Sequence, residues 1–147
     1  MTRVPRVFAV LLFAASLAAF LPSAARAEPV SAADSKAARA VVEAQLAAFA
    51  EDDGKRAFSY AAPSIREMFG SPDRFMAMVR GSYPVVYRPA AVVFLNPEWV
   101  QGQLVQCVHL TDASGALSLA VYSLERQPDK SWRISGCNVQ PSAGKMT

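Results

Sequence analysis

The feature that most constrains this chain is a change of period near Tyr83. Before it, apolar residues recur at helical spacing; after it, they alternate. From Asp34 onward Val42, Leu46 and Phe49 recur at four and three, with Ala38 and Gln45 on the same side. Asp34 or Ser35 can cap this helix, and Glu51-Asp52-Asp53-Gly54 closes it, with Gly54 suited to the left-handed position. A second helix is expected over residues 55–62, stopping at Pro63. A short turn over 64–69 should bury Ile65, Met68 and Phe69. Ser71-Pro72-Asp73 supplies a cap, a proline at the first helical position and an acid in the first turn. The third helix carries Phe75, Met78 and Val79 on one face and ends at Gly81.

Beyond Tyr83 the alternation predicts four strands, at 87–96, 103–111, 116–127 and 131–139. The links between them are short and rich in turn formers, so neighbouring strands must be antiparallel. Pro97 implies a bulge or an edge position for the first strand. Helices followed by an antiparallel meander is the α+β class, with N-terminal helices packed on one face of a curved four-stranded sheet. The third strand is apolar on both sides: Leu117, Leu119 and Val121 on one, Ala120, Tyr122 and Leu124 on the other. A half-solvated sheet would alternate with polar residues. No segment is left to cover the second face, so a homodimer through that sheet face is expected; the alternative is a small exposed apolar patch on a monomer.

The first residues read as an address. Arg3 and Arg6 precede an uncharged apolar run from Val7 to Leu21, and Ala25-Arg26-Ala27 supplies small residues two apart. This is the order of a cleaved signal peptide over residues 1–27, with cleavage after Ala27. The run is shorter than the ~20 residues that span a bilayer, so no stable membrane insertion is expected after cleavage. The mature protein is then a single domain over 28–140 with a disordered tail at 141–147, periplasmic or secreted. Three of the 15 basic residues leave with the signal, so the remaining 12 balance the 12 acids. The basic excess therefore gives no ground for a nucleic-acid partner.

Few residues offer chemistry. Cys107 and His109 form Cys-x-His on one strand face, and Cys137 could add a third soft ligand. If both cysteines flank Ala120 across the intervening strand, they stand roughly 9–10 Å apart at ~4.8 Å per strand. That is too far for a disulfide, and two free thiols with no metal are expected. His109 with Asp112 is an acid–base pair only if Asp112 leaves its turn. Phosphate-binding glycine loops, nucleophile elbows and metalloprotease helices are absent from the sequence. No catalytic residue and no cofactor is assigned. The remaining signal is a set of polar groups in apolar surroundings: Tyr60, Tyr83, Tyr87, Gln106 and Tyr122. They could line a small ligand pocket between helices and sheet, or form a satisfied polar network in the core.

Three stretches in combination, VVEAQLAAFAEDDGKRAFSYAAPSI, MVRGSYPVVYRP and LERQPDKSWRISGC, resemble a family of small exported bacterial proteins known as domain of unknown function 4864. The shared motifs are Phe58-x-Tyr60-Ala61-x-Pro63, Tyr83-Pro84-x-x-Tyr87-Arg88-Pro89 and Trp132-Arg133-Ile134-x-Gly136-Cys137. The order of elements is also similar to the nuclear-transport-factor-2-like, or cystatin-like, superfamily. That likeness implies a cone of helices laid into a curved sheet. Its members include binding modules, dimers and small isomerases or lyases, and the family brings no catalytic positions. The expectation is a non-enzymatic module for a small apolar ligand or a partner. A small proton-transfer enzyme or a structural envelope dimer are the alternatives.

Overall fold

The protein is described by a computed structural model covering residues 28–142. The expected signal segment and the last five residues lie outside it. Helix α1 spans Ala32–Ala50 and begins earlier than the sequence suggested, because Ser31 is the cap and its hydroxyl accepts from the Asp34 amide. At its far end Asp52, not Gly54, takes the left-handed conformation, at φ 54°. Asp53 then caps α2, Gly54–Ser59, through the Arg56 amide. Residues expected as a turn form a third helix, α3, Pro63–Phe69, started by Pro63. Ile65 and Phe69 are half-buried there, but Met68 is 73% exposed rather than buried. Helix α4 spans Pro72–Ser82 with the expected Ser71 cap, and a one-turn helix α5 covers Pro84–Tyr87.

Helix α5 was not expected, and it takes only Tyr87 from the strand expected over 87–96. The expected strand shortens to β1, Ala91–Phe94, and a further strand that the sequence reading did not assign, β2 Glu98–Val100, follows Pro97. Both pair antiparallel with β3, Gln103–Thr111, along successive halves of one edge. The β2–β3 turn places Gln101 and Gly102 at positive φ, 50° and 77°, the pairing that a tight hairpin requires. β4, Leu117–Arg126, and β5, Trp132–Pro141, complete an open antiparallel sheet in the order β1-β3-β4-β5. β5 runs to Pro141, which pairs with Ser118, so the sheet reaches into the expected tail. The class is α+β, helices first and antiparallel sheet second.

The helices stack on the face that presents Leu104, Val108, Leu110, Ala120, Tyr122, Leu124, Trp132 and Ile134. Phe75 of α4 is the hub of the helical layer. Its ring lies 6.0 Å from Phe49, 5.5 Å from Phe58 and 5.6 Å from Phe69. The link between α2 and α3 is pinned directly to β5: Ala62 N–H donates to Ile134 O, and Ile134 N–H donates to Tyr60 O. A single parallel bridge, Ala61 to Ile134, is the only strand-like pairing among the described helices. On the opposite face, Val105, Cys107 and His109 alternate with the buried residues of β3 and remain half-buried. No described element packs over them.

β4 and β5 are out of step by one residue, with a bulge after Ser123. Ser135 is the extra residue, and its hydroxyl donates to Ser123 Oγ at 3.3 Å. Gly136 pairs with Ser123, and a Cβ there would sit 2.8 Å from Ser123 Oγ. The glycine thus makes room for a neighbouring strand, not for something packed above the sheet. The bulge also turns Cys137 onto the helix-covered face, opposite Tyr122, while Cys107 faces outward opposite Val121. The sequence reading had the two cysteines flanking Ala120 from opposite sides; instead Cys107 pairs with Val121 and Cys137 with Tyr122, and the two free thiols lie on opposite faces of the sheet.

Candidate functional site

A cleft of about 390 Å³ opens between the helical layer and the sheet. Its walls come from α3 (Ile65, Met68, Phe69) and α4 (Phe75, Met78, Val79), with Val86 of α5. Its floor is Tyr122 on β4 with Ile134, Gly136 and Cys137 on β5. The sequence produces this arrangement locally. Pro63 and Pro72 each start a helix, and Gly70, at φ 74°, turns the chain back between them. Exposed Met68 stands at the rim of the cleft, and half-buried Met78 lies within it.

Polar atoms are few. Gln45 of α1, Ser82 and Tyr83 reach the cleft from the helices. Gln45 Nε2 is already spent on Ala57 O at 3.2 Å, tying α1 to α2. The Tyr122 hydroxyl is buried and has no hydrogen-bond partner. Burial pushes its pKa well above the ordinary phenol value, and the Cys137 thiol alongside adds to that, although the two do not reach hydrogen-bond geometry. Burial likewise pushes the Cys137 thiol up to about 12, with Tyr122 opposing. At neutral pH both are uncharged, and Cys137 is a poor nucleophile. Among the described residues no carboxylate and no histidine lines the cleft. His109 lies on the other face of the sheet, its Nδ1 buried without a partner. Asp112 is held in its turn by the Ser114 hydroxyl and by the amides of Ser114 and Ala116, which lower its pKa. His109 and Asp112 are thus not engaged as an acid–base pair. Among the described residues no group of three or more metal-type ligands comes together.

Of the five polar residues singled out from the sequence, the structure brings Tyr83 and Tyr122 into the cleft. Gln106 is directly opposite Tyr122 across the strands and fully buried, but it does not line the cleft. Its Nε2 donates to Leu95 O at 2.6 Å and to Cys107 O at 2.9 Å, which bridges the gap where β1 gives way to β2. Its Oε1 is unpaired, as is the Tyr122 hydroxyl, so the expected polar network between them is not formed. Gln106→Leu is expected to cost about 1–2 kcal/mol by orphaning the Leu95 carbonyl, partly offset by removal of the unpaired Oε1. Urea denaturation reads this directly, and a cost near zero would mean that the amide is not what holds the strand break.

Tyr60 caps α2 away from the cleft. Tyr87 belongs to an exposed latch: its hydroxyl donates to Asp52 Oδ1, and Arg88 Nη2 donates to Asp52 Oδ2 at 3.0 Å. Arg88 Nη1 also donates to the carbonyl of Phe49 at 2.6 Å, a second donor on an acceptor at the end of α1 that the Asp52 amide already reaches at 3.1 Å. The latch locks α5 to the α1–α2 turn and so fixes the helical wall of the cleft. Residues that the sequence reading left out of the site are Ile65, Met78 and Ser82, and above all Cys137, whose orientation is set by the bulge.

The family model for a domain of unknown function (DUF4864) matches residues 31–147. The chain therefore belongs to that family. No curated protein and no solved structure matches it.

Proposed function

We propose that this member of the DUF4864 family is an exported protein that holds a small apolar molecule in the cleft between its helices and sheet, without chemical conversion. The observation that carries the reading is the cleft itself: about 390 Å³, walled mainly by apolar side chains, with Gln45, Ser82 and Tyr83 as the polar groups that reach it from the helices. Proton-transfer chemistry would need a base within reach of the ligand, and the lining residues supply neither a carboxylate nor a histidine. Export rests on the Arg3, Arg6 and Val7–Leu21 pattern before Ala27. No described helix is long and apolar enough to cross a membrane. A cone of the nuclear-transport-factor-2-like kind is the fold-level counterpart of this proposal. What supports it is the placement of all the helices before the sheet and of the cleft between the two layers.

The outer sheet face supports a second proposal, a homodimer. Val93 and Val100 are 50% and 47% exposed, and they adjoin Val105, Leu119 and Val121 on the same face. Native mass spectrometry of protein recovered from the periplasm tests these proposals together. The expected species is a dimer of chains beginning at Glu28, each carrying a non-covalent small molecule. A bare monomer would overturn both the dimer and the ligand, and a chain still carrying residues 1–27 would overturn cleavage.

A further inference from the structure

Helix α3 is the least anchored wall of the cleft. Helices α1, α2, α4 and α5 each bury at least one side chain, whereas α3 buries none of its 7 residues. Ile65 and Phe69 are half-buried, and both line the cleft. The charged residues of α3, Arg66 and Glu67, are exposed and take part in none of the ion pairs formed among the described residues. What holds the helix down is therefore the packing of Ile65 and Phe69, the latter against Phe75 at 5.6 Å. Segments with so few buried apolar contacts open locally at low cost.

The two ends of α3 differ. Ala61 and Ala62 are buried, and Ala62 N–H donates to Ile134 O at 2.8 Å, so the chain enters the helix from a fixed point on β5. It leaves through Gly70, which is exposed and at φ 74°. Beyond its chain neighbours, a Cβ placed there would meet only the tip of Arg74, at 3.9 Å. Backbone change at such element ends is what a hinge requires.

Met68 is a second, independent sign. Ile65, Met68 and Phe69 are three and four residues apart and share one face of α3. That face lines the cleft, yet Met68 at its rim is 73% exposed. Tilting α3 inward about Ala62 would carry this side chain from water onto whatever fills the cleft. The opposite wall and the floor have no such freedom, because Phe75, Val79, Tyr122 and Ile134 are all buried.

Building on the reading of the cleft as a ligand site, we infer that α3 is its lid. The helix swings about Ala62 and Gly70, admits the apolar molecule, and closes over it with Met68 turned inward. The contacts of Met68, Ile65 and Phe69 with the bound molecule supply the difference in free energy between open and closed states that such a motion needs.

Amide hydrogen exchange with and without the neutral fluorescent probe 1-N-phenylnaphthylamine tests the motion. In the empty protein the amides of Arg66 to Gly70 should be slowed by no more than about a hundredfold relative to an unfolded chain, far less than those of Val79 and Arg80 in α4. At a free probe concentration about ten times Kd, exchange in α3 should slow a further tenfold or so, because opening then requires release of the probe. The Met68 methyl should lose most of its relaxation by a soluble gadolinium chelate on binding, with the methyl of Met76, 3% exposed, as the buried reference. Met68→Ala should weaken the probe about tenfold and leave the melting temperature of the empty protein within a few degrees. Amides in α3 as slow as those of α4 in the empty protein would overturn the lid while leaving the cleft as the site. So would a bound probe that leaves α3 exchange and the Met68 methyl unchanged, or full affinity in Met68→Ala. If the probe does not bind at all, the reading of the cleft as a ligand site fails, and the lid with it.

Discussion

Phe75→Ala is expected to cost about 3–5 kcal/mol of folding stability, the largest single effect of any substitution considered. The side chain is 6% exposed and touches three other phenylalanine rings, one each from α1, α2 and α3. Truncation removes the ring's own burial and leaves a void that the four surrounding helices cannot close by a rigid shift. A domain of this size has about 5–15 kcal/mol in total, so the variant should retain only a fraction of it. Urea denaturation gives the value. A loss below about 1 kcal/mol would mean that the helices collapse freely onto the sheet and that Phe75 is not their hub. Because Phe75 also lines the cleft, probe affinity should fall in the same variant.

Met78→Trp is expected to abolish binding with little effect on the fold. Met78 is half-buried on α4 and lines the cleft, so an indole there can occupy the space without being forced into the packed core. Affinity for a neutral apolar ligand should drop about a hundredfold, equivalent to about 2.7 kcal/mol, while the melting temperature moves by no more than a few degrees. Val93→Trp is the control. Val93 is 50% exposed on the opposite face of the sheet, and the same increase in bulk there should leave affinity unchanged. The reverse pattern, with Val93→Trp blocking and Met78→Trp not, would move the ligand to the outer face.

How far the sequence announces this structure differs from element to element. The switch of period near Tyr83 separates helices from sheet, and the expected 103–111 strand coincides with β3, whose alternation is uninterrupted. Helix α5 was hidden because it is a single turn whose Val85 and Val86 are β-branched and disfavour helix, so the segment between the third helix and the strand expected at 87 stayed unassigned, although Pro84 is also a helix start. The split into β1 and β2 was half legible: Pro97 marks the break, but the side chain that repairs it, Gln106, reaches across from another strand. The bulge at Ser135 was not legible, because Ile134-Ser135-Gly136-Cys137 fits unbroken alternation equally well. Only the meeting of Gly136 with Ser123 selects the bulged register, and with it the face on which Cys137 lies.

The site follows the same pattern. Tyr122 could be found as a tyrosine in an apolar strand, and Tyr83 as the residue at the helix-to-sheet switch. Tyr87 could not be separated from them, since its partner Asp52 is 35 residues away and is brought to it only by the packing of α5 against α1. Met68 was misassigned for a simpler reason. A turn over 64–69 would bury it with Ile65, whereas the α3 helix points it to the rim of the cleft.

The most direct test of the ligand site is an amide ¹H–¹⁵N titration of the protein with 1-N-phenylnaphthylamine. Saturable shifts should cluster at Ile65, Met78, Tyr83, Ile134 and Cys137, the residues that surround the cleft, and should spare Val93, Val105 and Val121 on the outer face. Shifts confined to the outer face, or none at a probe concentration that saturates fluorescence, would contradict the cleft as the binding site.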